Sequence, residues 1–316
     1  MRRPVLALAA AILAFAAPAR AADTIKIVVA FAAGGPADLL ARVVAQELQQ
    51  ATGANVVVEN RGGAGGALAM EAVARAPADG RTLLVGTVGS TVLTPILQPN
   101  PNDDPLKSFE PIVLIGEVSS VLVVNNQVPA NSLAELIALA KGGRKLAYGS
   151  AGGGSTMNIA GEQLNIGAGI AVTNVPYRGA GPAINDLLGG HVDMIIADPP
   201  VIYPLVAGKS ARALAVFGPQ RSPLLPDVPT TKELGFPDML MENWYGVLAP
   251  TGLPGAVSAT IEKDILAALR LPHVKERLAA GGLVGTTGRA GFRARLDRDF
   301  AYWGPQLKKL GITLQP

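Results

Sequence analysis

The chain has 316 residues, 49% of them hydrophobic but only 4% aromatic, so its core has to be built mostly from Ala, Val, Leu and Ile. Lys and Arg number 27 against 24 Asp and Glu. With no long basic run, this balance sets nucleic acid aside as a partner. Cysteine is absent, which excludes a thiol nucleophile and a thiolate metal site.

The first 21 residues read as an export signal. Arg2 and Arg3 precede an apolar run over residues 5–17, too short to cross a bilayer comfortably. Ala19-Arg20-Ala21 forms an A-x-A cleavage site, so the mature chain is expected to begin at Ala22 and to be exported, to the periplasm if the resemblance given below holds. That segment holds Arg2, Arg3 and Arg20 and no acid, so the remainder carries 24 charges of each sign and is formally neutral.

Beyond it, apolar runs of strand length alternate with helical patterns. Residues 25–30 read as a strand. Leu39, Leu40, Val43, Val44 and Leu48 then recur at helical spacing, and Gly53 stands where a helix C-cap belongs. Residues 55–59 read as a second strand, a short helix through Met70 and Val73 ends at "PADG", and residues 81–86 read as a third strand, with Ser90 a candidate N-cap after it. This β-α-β-α-β order predicts a largely parallel sheet covered by helices on both faces.

The pattern then restarts. A strand at 121–126 is followed by a helix over 132–141 with Leu133, Leu136, Ile137 and Ala140 on one face. Then come a strand at 145–148, a helix from Ser155, a strand at 171–175, a helix from Pro182 and a strand at 192–197 that ends on Asp198-Pro199-Pro200. This reads as a second α/β domain over 126–231. The C-terminal part returns to helices. Val257, Ile261, Ile265 and Leu269 form one stripe, and Phe292, Leu296, Phe300, Trp303, Leu307 and Leu310 another. Arg293–Asp297 and Arg295–Asp299 are i,i+4 pairs expected on the exposed side of that last helix. These helices are expected to rest on the first domain, which is then discontinuous, 22–125 with 232–316.

Several chemistries can be tested on spacing. "GSAGGGST" (149–156) has the glycine separation of a phosphate loop, but Ser155 occupies the lysine position, which removes the main charge partner of a triphosphate. "FAAGGPAD" (31–38) and "RGGAGGALAM" (61–70) fail the G-x-G-x-x-G spacing of dinucleotide sites. The two histidines, His191 and His273, have no evident nucleophile or second ligand beside them, and no spacing singles out a carboxylate pair.

What remains is a set of strand-to-helix turns: Gly34-Gly35-Pro36, Thr87 to Ser90, Gly152 to Thr156, and Gly179-Ala180-Gly181-Pro182. In an open α/β sheet such turns lie at the carboxyl ends of the strands, where ligands bind. Each helix start offers backbone N–H groups and a positive dipole end, favouring an anion by roughly 0.3–1 kcal/mol per helix and up to ~2 when partly buried. Two turns fall in each domain, so two domains facing each other would form an anion clamp. Turns that only cap helices remain the alternative reading at each position.

The segments "IKIVVAFAAGGPADLLAR", "VVVENRGGAGGALAMEAVARAPADGRTLLVG", "NVPYRGAGPAINDLLGGHVD" and "ARALAVFGPQRSPLLPDVPTTKELG" resemble the Bug family of periplasmic receptors of the tripartite tricarboxylate transporter type. "WYGVLAPTGLP" and "VKERLAAGG" extend the resemblance over essentially the whole mature chain. The resemblance implies an α/β, two-lobed type II periplasmic-binding-protein fold, each lobe a mixed, mostly parallel sheet flanked by helices. It implies capture of a small carboxylate by a monomer that has no cofactor or metal and no catalytic activity, for delivery to inner-membrane permease subunits. Carried over residue by residue, the first-lobe binding candidates are Ala33, Gly34, Gly35 and Asp38, then Thr87, Gly89 and Ser90. The second-lobe candidates are Ser150, Gly154, Ser155, Thr156, Tyr177, Arg178, Gly179 and Asp198. Asp38 is itself anionic and suits a helix-capping role; Arg178 suits either a distal carboxylate or solvent; Asp198 suits a ligand amine or hydroxyl, or an internal hydrogen bond. A ligand-dependent adaptor for a membrane sensor kinase, and a periplasmic enzyme using cleft carboxylates, are the alternative functions.

Overall fold

Strand β1 (Thr24–Val29) buries Ile27, Val28 and Val29 almost fully, as a strand covered on both faces must. The computed structural model describes residues 24–99 and 104–313, and the expected export signal lies outside the described residues. After β1 come helix α1 (Pro36–Thr52), β2 (Asn55–Asn60), a 3-10 turn (Ala64–Gly66), α2 (Ala67–Ala74) and β3 (Thr82–Thr87). A π-helical turn (Gly89–Leu93) then runs into α3 (Thr94–Leu97), followed by α4 (Pro105–Ser108) and the long β4 (Phe109–Ser119). Helix α1 begins as the sequence predicts, with Pro36 in its first turn, and ends where Gly53 takes a left-handed conformation at φ 70°.

The next stretch builds a second sheet: β5 (Val121–Asn125), α5 (Leu133–Lys141), β6 (Ala147–Ser150), α6 (Thr156–Ala168), β7 (Thr173–Pro176), α7 (Ala180–Gly189), β8 (Met194–Ala197), α8 (Pro199–Ala207) and β9 (Ala211–Val216). The chain then returns to the first sheet with β10 (Glu242–Pro250), α9 (Gly255–Leu269), α10 (Pro272–Ala280), β11 (Thr287–Gly288) and α11 (Arg289–Leu310). The strand orders are β11-β4-β10-β3-β1-β2 and β7-β6-β8-β5-β9. Both sheets are mixed. β1, β2 and β3 run parallel, as do β6, β7 and β8, because a helix crossover joins each successive pair. β4, β10 and β11, and likewise β5 and β9, enter antiparallel.

The chain leaves the first sheet at Ser120, ahead of the expected break after Asn125, because β5 pairs with β8 and β9. β4 and β5 are consecutive extended segments separated by Ser120 alone, so no Gly or Pro turn marks the crossing. At the passage, Ser120 N–H donates to Met241 O (3.0 Å), Phe217 N–H to Ser120 O (2.8 Å) and Met241 N–H to Phe217 O (2.8 Å). Outgoing and returning segments are thus tied side by side where the two lobes meet.

Helix α11 covers the first sheet. Trp244 of β10 is fully buried, stacks edge-on against Phe292 with ring centroids 4.9 Å apart, and donates its indole N–H to Asp299 Oδ2 at 2.7 Å. The expectation of an exposed Arg295–Asp299 pair is corrected here: both residues are buried, and Arg295 also pairs with Glu117 of β4. The helix turns this pair inward because Asp299 answers two buried donors at once, the guanidinium and the indole. Arg293 reaches the carbonyls of Leu106 and Phe109.

Removing one partner of a buried ion pair strands the other charge, so Asp299→Ala is expected to destabilise the fold by about 3 kcal/mol or more. Arg75→Ala, which removes an exposed i,i+4 partner of Glu71, is expected to change stability by about 0–1 kcal/mol. Urea unfolding of the two variants checks the contrast; equal effects would refute it.

Candidate functional site

Helices α1, α6, α7 and α8 each begin directly after a strand or its short turn, so their N-termini emerge at the carboxyl ends of the sheets. All four point at one cavity between the lobes. Its wall takes Gly35, Pro36 and Ala37 from the start of α1, Ser155, Thr156 and Met157 from the start of α6, Ala180 from α7 and Asp198 from the cap of α8. Thr87 closes β3 against it, Asn243 and Tyr245 of β10 line it too, and Phe31, Ala151 and Ala197 supply apolar surface. The cavity has a water-accessible volume of about 40 Å³, room for a few water molecules. Among the described residues, no Lys, Arg or His side chain lines it.

Many polar groups around these turns are already engaged. Thr87 N–H donates to Ser90 Oγ (3.1 Å) and Ser90 N–H to Thr87 Oγ1 (3.3 Å), which pins the turn after β3. Ser155 caps α6 by accepting from Asn158 N–H at 3.2 Å, and donates its own hydroxyl to Gly152 O at 2.6 Å. Gly154 N–H donates to Asn158 Oδ1 (3.1 Å), and Gly34 N–H to Asp38 Oδ2 (3.1 Å). Asp38 also pairs with Arg42 one turn on, at 2.9 Å. Burial pushes its carboxyl up, but Arg42, the Gly34 N–H and Asn60 outweigh that and hold it below its ordinary value of 3.8.

Asp198 is the one acid among the described residues of the cavity wall, and it is 4% exposed. Ser120 Oγ donates to its Oδ1 at 2.6 Å; Asn243 Nδ2 donates to its Oδ2 at 2.6 Å, and Tyr245 Oη donates to the same oxygen. Burial is the largest influence and raises its pKa, with the three donors pulling the other way. Asn243 is oriented in turn, because its Oδ1 accepts from Val88 N–H (3.2 Å) and Trp244 N–H (2.9 Å).

The lobes touch backbone to backbone around this cavity. Ala32 N–H donates across the cleft to Arg178 O at 2.9 Å. A methyl group on Gly62 would overlap that same carbonyl oxygen, and one on Gly181 would overlap Ala33 O. Only residues without a Cβ permit this approach.

Of the residues singled out in the sequence, Gly35, Thr87, Ser155, Thr156 and Asp198 line the cavity. Gly89 packs against Ser155 and Thr156, and Gly179 against Ala32, so both lie in the lobe contact. Ala33 and Gly34 sit at its exposed rim. Ser90 and Ser150 are buried behind the wall, and Ser150 Oγ has no hydrogen-bond partner among the described residues. Tyr177 turns its hydroxyl to Asp186, and burial together with that carboxylate pushes its pKa up to about 12. Arg178 is exposed, and it is its carbonyl that reaches the other lobe. Asn243 and Tyr245 were missed, since "ENWYGVLAP" was not recognised as a strand; the alternation of polar and aromatic residues in it was the available signal. His273 bonds Glu47 (3.0 Å) on the outer side of α1.

Two mixed sheets flanked by helices, joined by two adjacent crossings and closed over a cavity, are the architecture of a periplasmic solute-binding receptor. A family model described as "Tripartite tricarboxylate transporter family receptor" matches residues 40–312, and the chain belongs to that family. It is 35% identical to Protein BugT of Bordetella pertussis over 93% of this chain and 91% of that one. Among solved structures it is similar to the periplasmic binding protein BugD, at 33% identity and a TM-score of 0.88 over 92% of this chain and 99% of that one. It is also similar to an R. palustris protein solved with adipate, at 31% identity and a TM-score of 0.86 over 92% and 98%. The family and these relatives are receptors and binding proteins. No helix among the described residues is long and apolar enough to cross a membrane.

Gly62→Ala and Gly181→Ala are each expected to hold the lobes apart, with a larger radius of gyration in solution scattering and a lower melting temperature. Gly304→Ala, whose added methyl meets nothing within 4 Å, is expected to leave the radius unchanged; no difference among the three would count against the contact. Since the folded pKa of Asp38 is lowered, its stabilisation is present above 3.8 and is lost as pH falls through the folded value. Asp38→Asn is therefore expected to flatten the acid limb of a melting-temperature profile below that pH.

Proposed function

We propose that this chain captures a small organic carboxylate between its lobes in the periplasm and hands it to a membrane transporter of the tripartite tricarboxylate type. The observation that carries the reading is the convergence of the α1, α6 and α7 N-termini and the Thr87 and Thr156 hydroxyls on one cavity between the lobes. Helix starts leave N–H groups without intrahelical partners, and their dipoles favour negative charge. In a wall without basic side chains, those dipoles and hydroxyls are the groups that favour an anion. The export signal, cleaved after Ala21, would place the chain in the compartment where such capture precedes transport. The adipate held by the R. palustris relative is a small carboxylate of the kind proposed.

On this reading residues 24–119 with 242–313 form one lobe and 121–216 the other. The hydrogen-bonded crossing at Ser120, Phe217 and Met241 is the hinge about which they part to admit ligand. Closure then reports occupancy to the transporter through the relative position of the lobes.

Calorimetry and thermal shift with a broad carboxylate panel, aromatic acids included, test the proposal. A ligand at a hundred times its Kd is expected to add about 2.7 kcal/mol of stability. The double variant Thr87→Val, Thr156→Val is expected to weaken binding about tenfold or more. Silence across the whole panel would sink the reading.

A further inference from the structure

A carboxylate bound in this cavity meets another carboxyl group in the wall, and the described wall supplies no cation to separate them. Resting on the receptor reading above, we propose that the protein takes up a proton as it captures its ligand, and that Asp198 Oδ1 is the atom that holds it. In the complex Asp198 is then a neutral acid, and the anion faces one negative charge fewer.

The conflict of charge is the first support. Asp198 lines the cavity and is buried. Any ligand carboxylate held there shares a desolvated space with it, and two carboxylates in one such space disfavour each other's ionised forms. The surroundings of Asp198 do not answer this with charge. From β10 it faces Asn243 and the phenol of Tyr245, and from the crossing Ser120. Helices α1, α6 and α7 bring no charged side chain to the wall among the described residues. Its own helix offers little. α8 opens with Pro199 and Pro200, which have no N–H to donate, and the Asp198 side chain makes no capping bond to that helix. Burial by itself raises the pKa of Asp198, and a bound anion acts in the same direction.

The hydrogen bonds decide which oxygen takes the proton. Asn243 Oδ1 accepts from the Val88 and Trp244 N–H groups, which leaves its Nδ2 as the donor. That Nδ2 donates to Asp198 Oδ2 and also to Tyr245 Oη, at 3.2 Å. Tyr245 therefore accepts from Asn243 and turns its own proton to Asp198 Oδ2. Both donors to Oδ2 are thus fixed in direction. The partner of Oδ1 is the Ser120 hydroxyl at 2.6 Å, and a hydroxyl can donate or accept. Protonation of Oδ1 asks only that Ser120 Oγ change from donor to acceptor. The neutral acid then keeps all three bonds, so the contact between the lobes survives the uptake.

The sign follows from linkage. The complex holds more protons than the free protein, so affinity rises as pH falls, by up to about tenfold per pH unit. The rise spans the interval between the pKa of Asp198 in the free protein and in the complex, and affinity levels off below it.

The test is titration calorimetry of the mature wild-type protein with adipate, malate, succinate, butyrate and benzoate, at about pH 7 and pH 8, where carboxyl groups with ordinary pKa values of about 4 are ionised. Each titration is repeated in buffers of different ionisation heat. For the acids that bind, the heat is expected to depend on the buffer in the sense of proton uptake, and affinity is expected to be higher at the lower pH. Asp198→Asn places an amide N–H where the proton would sit, so it is expected to bind with no uptake and no pH dependence. Infrared spectra of the wild type, which need no substitution, are expected to gain the C=O band of a protonated carboxyl on binding. Binding by the wild type without uptake, absence of that band, or uptake retained in Asp198→Asn each overturns the proton inference and leaves the receptor reading standing. Absence of binding by every acid at both pH values overturns the two together.

Discussion

A carboxyl group with both oxygens buried has to find donors inside the protein, and the placement of the two lobes turns on how Asp198 does so. Asp198 belongs to the second sheet, where it caps α8 after β8. Its donors come from outside that sheet: Ser120 at the crossing, and Asn243 and Tyr245 on β10 of the first sheet. One residue of one lobe is thereby held by the crossing segment and by the other lobe. The cavity, the facing helix starts and the glycine contacts all lie around that fixed point.

Strand β10 connects this point to the rest of the first lobe. Side chains alternate along a strand, so Asn243 and Tyr245 face the cavity while Trp244 faces the opposite way. There Trp244 meets Phe292 and Asp299 of α11, and Asp299 holds Arg295, which reaches Glu117 on β4. The cavity floor and the outer helix are thus braced by adjacent residues of one strand. Loss of either buried network would disturb the position of the other through the backbone between them.

The element pattern of the chain was legible because its helices and strands are locally consistent. The spacing of Leu40, Val43, Val44 and Leu48, the proline at the start of α1 and Gly53 at its end all act within one helix. The strands that escaped notice are β4, β9, β10 and β11. They enter their sheets antiparallel, by pairing with residues distant in sequence. The passage between the sheets at Ser120 has a related cause: β4 and β5 follow each other without a turn, and their separation comes from the partners each one finds. Arg295 and Asp299 show the same limit. Their i,i+4 spacing identifies a pair but does not say which way it faces, and Trp244 and Glu117 settle that.

By itself the sequence determined that four small-residue turns open helices, that no nucleotide loop or thiol chemistry is present, and which family the chain resembles. These are properties of short segments and their composition. Only the tertiary structure decided which turn residues meet. It brought Gly35, Thr87, Ser155 and Thr156 to one wall, left Arg178 outside it, and spent the Gly34 and Gly154 amides on neighbouring side chains. It also gave Asp198 three donors, the internal hydrogen bonding that was one of the roles its position suggested. The physical reason is that a donor or acceptor is defined by its partner, and here many of the deciding partners lie on strands and turns that only the fold brings together.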